Sequence, residues 1–241
     1  MFKSVASTYF DAVSLLRVGR FDESIGLLRA ALAAVQAAGR EPTQAMGPTG
    51  TIVSVPVADC EDLCSRKFAM GNNTTYFDIF GRAFIFEEIQ YLANTDENAS
   101  LCAAVGLYNM ALNMQYKGLR DGVSAYLRKA SGLYQKVFDI VRLCNPSPDD
   151  TVSSLLLATV LNIIACESEL RGHASIEEWK IVYNHLFEWA TQTPCNAIGP
   201  EEIQLFTSNA VLFASQQVCT APAACNTRQS VLTAFCAKIL R

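Results

Sequence analysis

The chain has 241 residues, 51% hydrophobic and only 17% charged, so it is long enough to bury a core and too apolar to stay disordered. Its formal charge of −4 and pI near 5.3, with no lysine or arginine cluster, leave no basic stripe to neutralise phosphates. Nucleic acid is therefore not an expected partner.

Apolar residues recur at helical spacing from Ser4 to Val18, Gly19-Arg20 interrupts them, and Phe21 to Leu32 resumes them. This predicts a first hairpin over residues 1–38, two antiparallel helices joined by a tight glycine turn. Ala12 lies seven residues before Gly19, Phe21 follows the glycine by two, and Ser24 and Ala31 are small positions of the second helix. Small residues there let paired helices approach closely. The run from Leu15 to Leu32 resembles the second half of a tetratricopeptide repeat, although Thr8 stands where that repeat has a large aromatic and its closing proline is absent. The resemblance is to tetratricopeptide-like (TPR-like) helical superhelices, including microalgal proteins of this style. It implies a mostly α fold, a TPR-like stack of antiparallel helical hairpins forming one domain over residues 1–241.

Between Gly39 and Thr95 the helical period stops. Residues 51–57 read as a short strand and 76–86 as a longer one, which predicts a β-hairpin insertion over 51–86, after the first helix pair. Pro56 confines its strand to an edge.

A second hairpin is expected over residues 96–144, from Asp96 to Leu119 and from Val123 to Cys144, and a third over 149–193. The spacing of seven from Ala12 to Gly19 returns from Ala111 to Gly118 and from Ala165 to Gly172, which marks Gly118 and Gly172 as turn glycines. They lie 54 residues apart, against a period of about 34 in a strict tetratricopeptide array, so the helices are lengthened. Ser147-Pro148-Asp149-Asp150, Ser175-Ile176-Glu177-Glu178 and Gly199-Pro200-Glu201-Glu202 each carry helix-start chemistry. The last of these opens a helix reaching about Gln216. A final helix from Thr227 to Leu240 completes a pair of capping helices over 200–241.

The N-terminal residues lack the continuous apolar core of a signal peptide. The most apolar stretch, Leu155 to Cys166, is broken by Asn162 and followed by Glu167 and Glu169, as expected of a buried helix and not of a membrane span. Nine cysteines, an odd number lying mostly within apolar helical patterns, read as reduced and buried thiols. Together these features predict an intracellular, cytoplasmic protein without a membrane partner.

No catalytic motif emerges. Cys60 and Cys64 share a spacing that one helical turn could aim at a metal, but no second pair of ligands follows, and the acidic residues around them would raise a thiol pKa. His173 and His185 read as a turn residue and a half-buried helix residue. No catalytic residue, metal site or cofactor is assigned. Asn109, Asn162 and Asn209 fall near the middle of successive first helices, 53 and 47 residues apart. The resemblance places first helices along a concave groove, where a carboxamide can bond the main chain of an extended peptide. The alternative is an asparagine satisfying backbone inside the core. Tyr108, Gln115 and Tyr116 either share the groove surface or belong to the core. The resulting expectation is a protein–protein interaction scaffold that binds a partner protein or peptide through the first-helix face. One alternative is a structural homodimer associating through the β-hairpin, and another is an enzyme of unassigned class.

Overall fold

The computed structural model describes residues 2–38, 47–49, 52–57, 68–70, 75–86, 90–92, 96–144, 152–171, 176–192 and 198–217. Among these residues the chain is mostly helical, with short antiparallel strand pairs. It divides into two compact units, one of Met1–Arg66 with Gly81–Cys144 and the other of Lys67–Phe80 with Asn145–Arg241.

In the first unit, α1 (Phe2–Arg17) and α2 (Phe21–Ala38) form the expected hairpin. Gly19, at φ 73°, takes the left-handed turn conformation. Its N–H donates to the Leu16 carbonyl (3.0 Å) and that of Arg20 to the Leu15 carbonyl (2.9 Å), the two bonds that close a glycine-terminated helix. Ala12 and Ser24 are fully buried where the helices meet, and the Ser24 hydroxyl donates to the Ala12 carbonyl at 2.6 Å.

The second hairpin is α3 (Asp96–Asp121) followed by α4 (Ser124–Leu143). Here the expected turn is corrected. Gly118 lies inside α3, and the left-handed residue is Gly122, at φ 68°. The Val123 N–H reaches back to the Gly118 carbonyl (3.1 Å), so Gly118 closes the turn with its backbone while Gly122 makes it. A Cβ on Gly118 would sit 2.9 Å from the Leu127 side chain and 3.1 Å from its backbone nitrogen, so its missing side chain serves the approach of α4.

The predicted pairing of 51–57 with 76–86 is present, over the last part of the second segment. Strand β2 (Ile52–Pro56) pairs antiparallel with β5 (Arg82–Phe86), from Ile52 opposite Phe86 to Pro56 opposite Arg82. Residues 76–80 are not part of that ladder. The first unit also holds β1 (Gly47–Thr49) paired with β6 (Gln90–Leu92). In the second unit β3 (Phe68–Met70) pairs with β4 (Thr75–Phe77). Among the described residues of 51–86, the expected pair of β2 and β5 is thus joined by a further pair, β3 and β4.

The second unit also contains α5 (Val152–Arg171), α6 (Glu177–Ala190) and α7 (Pro200–Gln217). Helix α5 is long and apolar enough to cross a membrane by length and composition, but most of it is buried. At the start of α7, Glu202 reaches back to the Gly199 N–H (3.3 Å) and accepts from the Ser154 hydroxyl on α5 (3.2 Å). The residue before α6 is Ile176, which offers no side-chain cap. Ser147, Asp149, Ser175, Gly172 and the expected helix over 227–240 lie outside the described residues.

Gly106 on α3 tests the closeness of the first unit's core. A Cβ there would collide with the Tyr9 hydroxyl and meet a Leu32 methyl at 3.0 Å, while the Tyr9 hydroxyl donates to the Cys102 carbonyl at 2.9 Å. Gly106→Ala is expected to destabilise the protein by about 1–3 kcal/mol through overpacking. Gly26→Ala, where none of the described residues lies within 4 Å of the added atom, is expected to stabilise it by about 0.5–1 kcal/mol through helix propensity. Urea denaturation of the two variants checks both signs.

Candidate functional site

The three asparagines singled out by their spacing share one interaction. In the first unit, the Phe84 N–H donates to Asn109 Oδ1 at 3.0 Å and Asn109 Nδ2 donates to the Phe84 carbonyl at 2.7 Å. In the second unit, Asn162 makes the same pair of bonds with Phe80 (3.1 and 3.2 Å), and Asn209 makes it with Asp78 (3.3 and 3.1 Å). A carboxamide offers one acceptor and two donors at the end of a short stem. It can close both bonds with one residue only when that residue's N–H and C=O point the same way, as in an extended chain. Residues 78 and 80 share parity, so an extended stretch of the second unit presents both on the same edge.

In the first unit the strap edge would otherwise be bare. Because the N–H and C=O of Phe84 turn to Asn109, the ladder with β2 falls to Ala83 and Ile85, and the Val57 N–H continues it to the Gly81 carbonyl (3.3 Å). Pro56 stands opposite Arg82, where no ladder bond is needed, so its missing N–H costs nothing. The outer edge of β2 is partly covered too, since Arg82 donates through Nε to the Ser54 hydroxyl (2.7 Å) and through Nη2 to the Ser54 carbonyl (3.3 Å). Tyr108 flanks the clamp. Its ring lies edge-on to Phe84 at 4.9 Å, and its hydroxyl donates to the Arg82 carbonyl at 3.4 Å.

In the second unit, one stripe of α7 faces the strap. Phe206 stacks on Phe80 (5.3 Å, 11° between planes), Asn209 holds Asp78, and Phe213 meets Phe77 edge-on at 5.7 Å. Tyr183 on α6 supports the stripe from behind, with its ring edge-on to Phe213 at 5.2 Å and its hydroxyl donating to the Phe206 carbonyl at 3.1 Å. Burial raises the Tyr183 pKa well above its ordinary value, so this hydroxyl stays protonated and remains a donor.

All six residues expected on a groove surface, Tyr108, Asn109, Gln115, Tyr116, Asn162 and Asn209, are buried. The three asparagines and Tyr108 are engaged with the strap. Gln115 is not, because its Oε1 accepts from Tyr134 on α4 at 2.8 Å, and Tyr116 is a fully buried core ring. The strap residues Phe77 and Phe80 and the α7 residues Phe206 and Phe213 were not anticipated from sequence. Their signal was present as Phe206, Asn209 and Phe213 at positions i, i+3 and i+7 of one helix, the spacing of a single face.

Among the described residues, no group of three or more His, Cys, Asp or Glu side chains could hold a metal ion. Cys60, Cys64 and His173 lie outside the described residues. His185 is half-buried on α6, and its Nδ1 has no hydrogen-bond partner among the described residues. Cys102 and Cys166 are buried free thiols. Burial pushes the Cys102 thiol up to about 12 and moves Cys166 upward as well, with Glu167 and Glu169 adding to that rise. Neither is an activated nucleophile. Compared with protein-family models, with curated proteins and with solved structures, the chain matches none.

Two outcomes follow from this geometry. Asn162→Ala leaves the buried N–H and C=O of Phe80 without their carboxamide partner and is expected to cost about 2–4 kcal/mol. Asn209→Ala is expected to cost only about 1 kcal/mol, because Asp78 is exposed and water replaces the lost bonds. Denaturation midpoints, with amide hydrogen exchange at Phe80, check the order. At pH 8 the raised pKa leaves Cys102 with a thiolate fraction on the order of a thousandfold below that of an ordinary cysteine. A thiol-reactive dye is therefore expected to label Cys102 and Cys166 only after unfolding.

Proposed function

We propose that this protein is an interaction scaffold of the tetratricopeptide-like kind, in which asparagines of successive first helices hold an extended main chain. The observation that carries the reading is the repeated two-bond clamp of Asn109, Asn162 and Asn209 on Phe84, Phe80 and Asp78. A carboxamide that reads N–H and C=O is indifferent to the side chain between them, which is what a surface for extended segments requires. In this state the occupant is the chain's own strap, so a partner segment engages the clamps by taking the strap's place.

That replacement has a definable cost. The strap is tethered, and a tethered occupant competes at an effective concentration of about millimolar for short flexible linkers. Partner affinity is lowered by the fraction of molecules in which the strap is released. The scaffold is thus a gated one, favouring partners that match the strap's bonds and bury comparable aromatic surface.

Association of two copies through strand β5 has less support. One edge of β5 is used by β2 and the other by Asn109 and Tyr108, so pairing in trans would have to break existing bonds.

Affinity capture from native extract tests the scaffold reading, using the wild-type chain beside Asn162→Ala and Asn209→Ala variants shown by circular dichroism to keep their helices. A specific partner held by the wild type is expected to decline by about tenfold or more with Asn162→Ala. A wild-type bait that holds nothing above control, or a partner retained equally by both variants, would remove the groove from the account.

A further inference from the structure

In the second unit, the match between strap and α7 is one of length as well as chemistry. Phe206 and Phe213 are seven residues apart on a helix, a rise of about 10.5 Å at 1.5 Å per residue. Phe77 and Phe80 are three residues apart in the strap, a span of up to about 10 Å at 3.3 Å per residue. The two spacings coincide, so two aromatic contacts and the carboxamide contact between them are made in one register, with the strap antiparallel to the helix: Phe77 on Phe213, Asp78 on Asn209, Phe80 on Phe206. Asn162 fixes the other end of that register by holding the main chain of Phe80. The positions between the aromatics differ in demand, since Ile79 is buried and Asp78 is exposed.

We infer that the face built from α5 and α7 selects an extended peptide segment of the pattern aromatic, any residue, aliphatic, aromatic, and that a partner protein engages it by supplying such a segment in place of residues 77–80. The inference rests on the scaffold reading and adds the sequence class of the partner. The evidence for the occupant is the strap itself, which shows what chemistry the face accepts at each position. Backbone clamps alone would take any extended chain. The stripe of Phe206 and Phe213 adds selection, because a segment lacking either ring leaves an aromatic of α7 without its partner.

The strap also sets how binding in trans should respond to changes in cis. Residues 77–80 act as a competitor, so weakening their hold raises apparent affinity for an added peptide, whereas weakening the clamp lowers it. A strap that is never displaced predicts no binding of the peptide to the wild type.

The test uses a fluorescein-labelled synthetic peptide copying residues 75–82, a second peptide with alanine in place of both of its phenylalanines, and the full-length chain. With the Phe77→Ala, Phe80→Ala protein, the first peptide is expected to bind at least tenfold more tightly than with wild type. Asp78→Pro is a milder release, removing the N–H that donates to Asn209 without touching a buried side chain, and is expected to tighten binding at least threefold. This second variant decides the matter if the double variant does not fold. Adding Asn162→Ala to either is expected to lower affinity tenfold. Equal binding of the two peptides would overturn the aromatic register while leaving the backbone clamp in place. No binding by any folded strap variant would overturn the inference outright, and the scaffold reading would then stand or fall on the capture experiment.

Discussion

A buried extended chain has a problem that a helix does not: its N–H and C=O groups point sideways, and without a neighbouring strand they go unpaired at about 1–3 kcal/mol each. In this protein, helix side chains supply the missing strand. Asn109 does so for Phe84 in the first unit, and Asn162 and Asn209 do so for Phe80 and Asp78 in the second. Each asparagine acts as a one-residue piece of sheet attached to a helix, and other features around it follow from that. The strap must be extended, its aromatics must fall where they do, and β2 needs to cover only the opposite edge of β5.

Two kinds of force divide the work. The carboxamides contribute little net stabilisation, about 1 kcal/mol per bond, but they make burial of the strap backbone tolerable and set its register. The aromatic contacts supply the larger drive. Fully burying a phenylalanine is worth about 1.5–3 kcal/mol, and Phe77, Phe80 and Phe84 are all buried. A strap with the rings but no clamps would bury unsatisfied polar groups. One with the clamps but no rings would have scant reason to leave water.

Several elements were legible in sequence because their cause is local. The Ala12, Gly19, Phe21, Ser24 pattern produced its hairpin, since a left-handed glycine and two small contact residues act within a few turns of one another. Glu202 caps α7 for the same reason. The turn at Gly118 was misplaced because a spacing of seven from an alanine cannot distinguish a glycine that makes a turn from one that admits a neighbour. Gly122 makes that turn, and Gly118 accommodates Leu127 on the next helix. The pairing of β2 was anticipated only in part, because residues 76–86 read as one strand while different stretches of it pair with β3, meet asparagines or pair with β2.

The amino-acid sequence by itself determined that helices dominate, where most of the described ones begin and end, and that three asparagines occupy matching places on them. Those properties depend on periodicity, caps and composition, which act over a few residues. Only the tertiary structure decided what the asparagines hold. Asn209 and Asp78 are 131 residues apart and Asn162 and Phe80 are 82 apart, and nothing local to either partner encodes the meeting. The reason is that the contacts of Phe77 with Phe213 and of Phe80 with Phe206 bring together segments far apart in the chain, which only the folded chain does.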